Sequence, residues 1–270
     1  MHERISVNSL CFPGAGCGEM AEHWRELGAR RVSVIGPLVT GDLVPARQAL
    51  ASGDYRLETI AHLFMGNGPL TSEPASWREP QARLEQLICS AAALGARSIY
   101  MLTGGHGSLS WEAAADAFSA AIAPCVVRAR DAGVELMIEN ALPLYADLHI
   151  AHTLRDAATL AEMAGIGVCV DIFGCWTEAG LSESITRAMP RCQLIQVSDY
   201  VYGDRSLPSR AVPGDGAIPL RCVLGRILAA GYTGAFDLEL IGPRIDREGC
   251  IEAVGRAGRE LGAMLQSLGV

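Results

Sequence analysis

Lysine is missing from this 270-residue chain, and all 22 of its basic residues are arginine. A Schiff base requires a side-chain amine and a P-loop requires its lysine, so class I aldolase, pyridoxal-phosphate and Walker-type chemistry are excluded. The nine cysteines form no C-x-x-C pair, and an odd count without that spacing fits neither a disulfide framework nor a zinc ribbon. Most of them read as small buried apolar residues in a reducing compartment. No apolar run approaches the roughly 18 residues of a membrane span, and MHERISVNSL lacks the charged and apolar regions of a secretory signal, so a soluble cytoplasmic protein is expected. A net charge of −8 disfavours a surface for nucleic-acid phosphates, which leaves a small molecule as the expected partner.

Half of the residues are apolar, and their order is regular. Short β-branched or apolar runs alternate with longer alanine- and leucine-rich stretches of helical period, the pattern of repeated βα units around a parallel sheet. Eight strands are predicted, at 5–10, 31–37, 56–64, 98–105, 134–141, 167–174, 193–200 and 234–242. Helices are predicted from Glu79 to Leu94, Trp111 to Ala132, Thr153 to Ala164 and Arg247 to Leu268, with Gly95, Gly133 and Gly165 just past three of the ends. No linker, charge block or low-complexity tract divides the chain, so a single domain over residues 1–270 is expected. Eight βα units in this length match a (β/α)₈ TIM barrel. A doubly wound sheet fits less well, because Gly14, Gly16 and Gly18 are spaced GxGxG rather than GxGxxG. Those glycines are read as a flexible first βα loop. Barrels of this sort often pair, so a homodimer is compatible with the sequence.

Catalytic residues of such barrels lie at the C-terminal ends of the strands. The fifth strand ends on Glu139-Asn140, the sixth on Asp171, the seventh on Gln196, Ser198 and Asp199, and the eighth on Glu239. One carboxylate at a strand end is usually a helix cap or a solvated rim residue. Several side by side would repel and raise one another's pKa values, a conflict that a bound divalent cation resolves.

The stretch VPGDGAIPLRCVLGRILAAGYTGAFDLELIGP (212–243) resembles the closing unit of the xylose-isomerase-like sugar-phosphate isomerase and epimerase superfamily, and MIENAL, VCVDIFGCW and LIQVSDY resemble its fifth, sixth and seventh strands. The match is close in the C-terminal half and rests on the βα rhythm alone in the N-terminal half. The resemblance implies one divalent metal held by Glu139, Asp171, the strand-seven position and Glu239, with the two glutamates as an acid/base pair. Two departures stand out: Gln196 replaces a histidine ligand found in many relatives, and Gly174 replaces another. All six histidines lie at or before His152, so ligands from strands six to eight must be oxygen or Cys175. An all-oxygen set of Glu139, Asp171, Gln196 and Glu239 suits Mn²⁺ or Mg²⁺ better than Zn²⁺.

Substrate contacts are expected from Asp199, from Arg210 ahead of Pro213-Gly214-Asp215-Gly216, and from His106 in TGGHGS. The glycine-rich turn offers N–H groups for a phosphate, with Arg244 as a weaker candidate for the same role. Trp176 and Phe12 could form an apolar wall. His62 reads as a core or rim histidine, and His149 and His152 as capping or loop residues outside the metal set. The expected activity is isomerisation or epimerisation of a small hydroxy-carbonyl substrate through a metal-stabilised enediolate. The same charges would serve a dehydratase. An abasic-site endonuclease and a metal-free binding protein are the readings from other classes.

Overall fold

The computed structural model describes all 270 residues. Eight parallel strands close into one barrel in sequence order: β1 (Ile5–Asn8), β2 (Arg31–Ile35), β3 (Arg56–Leu63), β4 (Ser98–Leu102), β5 (Glu135–Glu139), β6 (Gly167–Asp171), β7 (Cys192–Val197) and β8 (Ala235–Leu238). The helices are α1 (Cys17–Leu27), α2 (Val44–Ala51), α3 (Arg78–Leu94), α4 (Trp111–Asp131), α5 (Leu154–Ala164), α6 (Ile172–Cys175), α7 (Leu181–Ala188), α8 (Leu220–Ala229), α9 (Pro243–Glu248) and α10 (Cys250–Ser267). No helix is long and apolar enough to cross a membrane.

Every expected strand is present, and each stops earlier than expected, where the chain leaves the ladder for the loops at the mouth. The expected loop at Gly14 to Gly18 is shorter: Gly16 caps α1, whose Glu19 carboxylate accepts the Gly16 N–H at 3.0 Å. The expected C-terminal helix is two helices, broken at Gly249, whose φ of 97° a side-chain-bearing residue rarely adopts.

Alternation along the strands makes two cores. Outward residues such as Ile99, Ile138, Val168, Ile195 and Phe236 join the helices in one large apolar layer. Inward, Tyr100, Met137, Cys169, Leu194 and Ala235 form a small plug inside the barrel. Another part of the interior is polar: Asp237 accepts from Asn8 Nδ2 at 2.9 Å and from Ser33 Oγ at 2.8 Å. Burial pushes the Asp237 carboxyl up to about 6, against the pull of those hydrogen bonds. On β3, buried Glu58 is paired with Arg31 and, at 3.2 Å, with Arg97. Five cysteines are buried, as expected, whereas Cys89 and Cys222 are exposed and Cys17 and Cys250 are half-buried.

Candidate active site

The register aligns Asp171 with Gln196 and Gln196 with Asp237, and the inward alternation of β8 then brings Glu239 to the mouth two residues on. Glu139, Asp171, Glu239 and Arg210 line one cavity of about 650 Å³. All four are buried, with 2% to 8% of their surface exposed. Gln196 is fully buried behind them and donates its amide N–H to Glu239 Oε2. Its Oε1 is buried without a partner.

Arg210 is the centre of the arrangement. Its segment is pinned by a two-way backbone exchange between Asp199 and Ala211 at 2.8 Å and by its own N–H to Ile241 O at 3.1 Å. Nη1 donates to Asp171 Oδ1 at 3.0 Å and Ser198 Oγ at 3.1 Å. Nη2 reaches Asp171 Oδ2 and Glu239 Oε1, each at 2.9 Å. The guanidinium also lies 4.9 Å from the centre of the Phe173 ring. Burial works against its charge, but Asp171, Glu239 and Glu139 outweigh that and hold the group protonated.

The two glutamates sit in different surroundings. Glu139 receives no side-chain hydrogen bond, and burial, followed by repulsion from Glu239 and Asp171, pushes its carboxyl well above the usual carboxylate range. Glu239 is pushed up to about 7 by burial, with Arg210 opposing and Asp171 adding to the rise. Burial thus favours the protonated form of Glu139, while Arg210 opposes the rise at Glu239.

Supporting groups fix this pair. Asn140 bridges the ends of β5 and β6, donating to Asp171 O at 2.9 Å and accepting from Asp171 N at 3.0 Å. A Cβ at Gly174 would meet Asn140 Nδ2 at 2.8 Å and Asn140 O at 3.1 Å, so a side chain there would press on this bridge. His149 Nδ1 accepts the Thr103 N–H at 3.1 Å, so Nε2–H donates to Glu139 O at 2.8 Å. Burial lowers the His149 pKa to about 3, which keeps it a neutral strut. Tyr100 and Tyr145 also line the cavity. Sequence reasoning passed over both tyrosines and placed His149 among capping or loop residues. Alternation alone could have found Tyr100, since it points inward two residues from the end of β4.

Several expected contacts do not form. Both Asp199 oxygens bind backbone N–H groups, of Tyr200 and Ile218 on one side and Gly214 and Gly216 on the other, at 2.8 to 3.0 Å. Asp199 therefore holds its own loop instead of facing substrate, and it takes the turn's donors that could have held a phosphate. Arg244 is paired with Asp204. His106 is exposed and outside the cavity lining, Trp176 is half-buried near Tyr200 and Tyr202, and Phe12 stacks on His23. Cys175 is buried with its thiol toward Ile172 O. His62 does line the cavity. Its Nε2 lacks a partner, and burial, then Arg83, lowers its pKa to about 4.

The model of the xylose isomerase-like TIM barrel family matches residues 24–264. The chain belongs to that family. A Sinorhizobium meliloti protein, SMc04130, is 25% identical, with a TM-score of 0.78 over 98% of this chain and 96% of its own. The IolI protein, solved with a zinc atom, is 14% identical, with a TM-score of 0.82 over 98% and 99% of the two chains. D-Psicose 3-epimerase from Clostridium cellulolyticum H10, solved with D-tagatose, is 15% identical, with a TM-score of 0.75 over 98% of each chain. No curated protein matches the sequence.

IolI was solved with a zinc atom, but the residues here do not fit a resident divalent ion. Arg210 Nη2 bridges Asp171 and Glu239, between the oxygens an ion would have to share. Gln196 turns its nitrogen, not its oxygen, toward Glu239, and the reverse orientation would set oxygen against carboxylate. Of the expected manganese set, Asp171 and Glu239 are paired with Arg210, Gln196 is bonded to Glu239, and Glu139 lines the same cavity without a side-chain partner.

Proposed function

We propose that this chain is an isomerase- or epimerase-type enzyme that moves a proton on carbon in a small hydroxy-carbonyl substrate. The observation that carries this reading is the pair of buried glutamates on one cavity, Glu139 with no side-chain hydrogen bond and Glu239 tied to Arg210 and Gln196. Glu239 takes the proton from the carbon beside the carbonyl, breaking that C–H bond and leaving an enediolate. Glu139 delivers its own proton, and the pair resets through solvent. The positive charge of Arg210 and the Tyr100 hydroxyl lower the energy of the developing oxyanion in a site largely closed to water.

The substrate class follows from the cavity. Leu10, Ile35, Leu63, Leu87 and Leu102 make one side of it apolar, which favours a substrate with an apolar face or body over a fully hydroxylated chain. The turn that would hold a phosphate is occupied by Asp199, so the reading is an unphosphorylated substrate.

Incubation with a panel of ketoses and aryl- or alkyl-substituted hydroxy-ketones in D₂O tests it. The expected result is deuterium at the carbon next to the carbonyl, seen by NMR, without loss of water. Release of water would assign β-elimination instead. An exchange rate that Glu139→Gln leaves unaltered would remove the proposal.

A further inference from the structure

We infer that Arg210 has taken over the position of the family's divalent ion, so that this site carries a built-in cation and needs no metal. The catalytic half of this inference rests on the proton-transfer reading above; the occupancy half does not. Three acidic side chains from β5, β6 and the end of β8 converge on one space, and uncompensated they would repel. In this chain the compensating charge is covalent: Arg210 donates two hydrogen bonds to Asp171 and one to Ser198, and its Nη2 lies 2.9 Å from Glu239 Oε1 as an ion pair.

The neighbouring substitutions agree with that exchange. Gln196 presents an N–H to Glu239, and an N–H completes a site organised around hydrogen bonds, whereas a metal needs a lone pair. Gly174 and Asn140 close the position where a further histidine would enter. The Asp199 anchor and its bridge to Ala211 hold Arg210 in place from the backbone side. An ion entering the space would face the guanidinium as a like charge and would have to displace a doubly paired arginine.

Binding and activity are read separately to test this. Protein purified without chelator should contain substoichiometric Mn, Zn, Mg and Fe by elemental analysis, and MnCl₂ or ZnCl₂ should leave its melting temperature unmoved. Arg210→Ala vacates the seat and should gain a site, with Mn²⁺ or Zn²⁺ raising its melting temperature by about 5 °C at saturating ion. Asp171→Asn added to that variant should abolish the gain. A folded Arg210→Ala chain indifferent to both ions overturns the inference. So does a wild-type chain holding a stoichiometric ion that Gln196→Leu releases, since Gln196 Oε1 is the oxygen an ion would use. If Arg210→Ala does not fold, wild-type occupancy decides alone. Deuterium exchange in excess EDTA should proceed at the untreated rate. Exchange that requires Mn²⁺ overturns the inference and leaves the proton-transfer reading standing. A metal-free chain without exchange on any substrate fails that reading and leaves the cation assignment intact.

Discussion

Strands β5 to β8 bring Glu139, Asp171, Gln196 and Glu239 to the mouth, whereas β2, β3 and β4 end on Ile35, Leu63 and Leu102. Both sets line or back the same cavity, yet one side is a charged, hydrogen-bonded network and the other is aliphatic. The difference separates two tasks. Groups that move protons must be held by partners from several strands, as Asn140, His149 and Arg210 hold theirs. A wall that selects a substrate body needs only shape and absence of polarity. β1 joins the first group from a distance, since Asn8 helps to hold Asp237 in the barrel interior.

The comparison is most easily broken on the charged side. Glu139→Gln keeps shape and removes the transferable proton, so kcat for exchange should fall about 10³-fold with KM and melting temperature little changed. Steady-state kinetics and a thermal melt check this, and an equal loss in kcat/KM through KM alone would assign Glu139 to binding.

Asp237 measures what a buried carboxylate does below the reacting layer. Its folded-state value, about 6, lies above its ordinary 3.8. The protonated form is therefore favoured in the fold: its stabilising contribution is complete below about pH 4 and is lost as pH rises through about 6, amounting to about 3 kcal/mol by neutrality. Urea unfolding from pH 4 to 7 should show a fall in the wild type that is reduced by that amount in Asp237→Asn. Parallel profiles would place the pH dependence elsewhere.

The smallest expected effect lies on the aliphatic side. Leu63 is 39% exposed, so Leu63→Gln should leave stability within about 0.5 kcal/mol. It should raise KM about tenfold for substrates with an apolar body and hardly at all for open-chain polyols. Equal changes for both substrate types would mean that the wall does not select.

The regular alternation of apolar strands and helices made the eight-stranded barrel legible, because each period reflects a local geometry and short connections leave few topologies. The strand-end carboxylates were legible too, since a parallel barrel gathers such ends at one face. Asp199 was misjudged for a physical reason: a carboxylate aimed at substrate and one that clamps a Pro-Gly-Asp-Gly turn look alike until the turn's N–H groups are located. His149 was read as a capping or loop residue because its partners, Thr103 and the Glu139 carbonyl, come from different strand ends.

By itself, the sequence determined the number and order of the units, the absence of lysine chemistry, and the presence of Glu139, Asp171, Gln196, Glu239 and Arg210 near one rim. Only the tertiary structure decided which cation those acids surround. Arg210 lies 39 residues from Asp171 and 29 before Glu239 along the chain, and the identity of a counter-charge depends on distances of a few ångströms that only the closed barrel and its pinned loop fix.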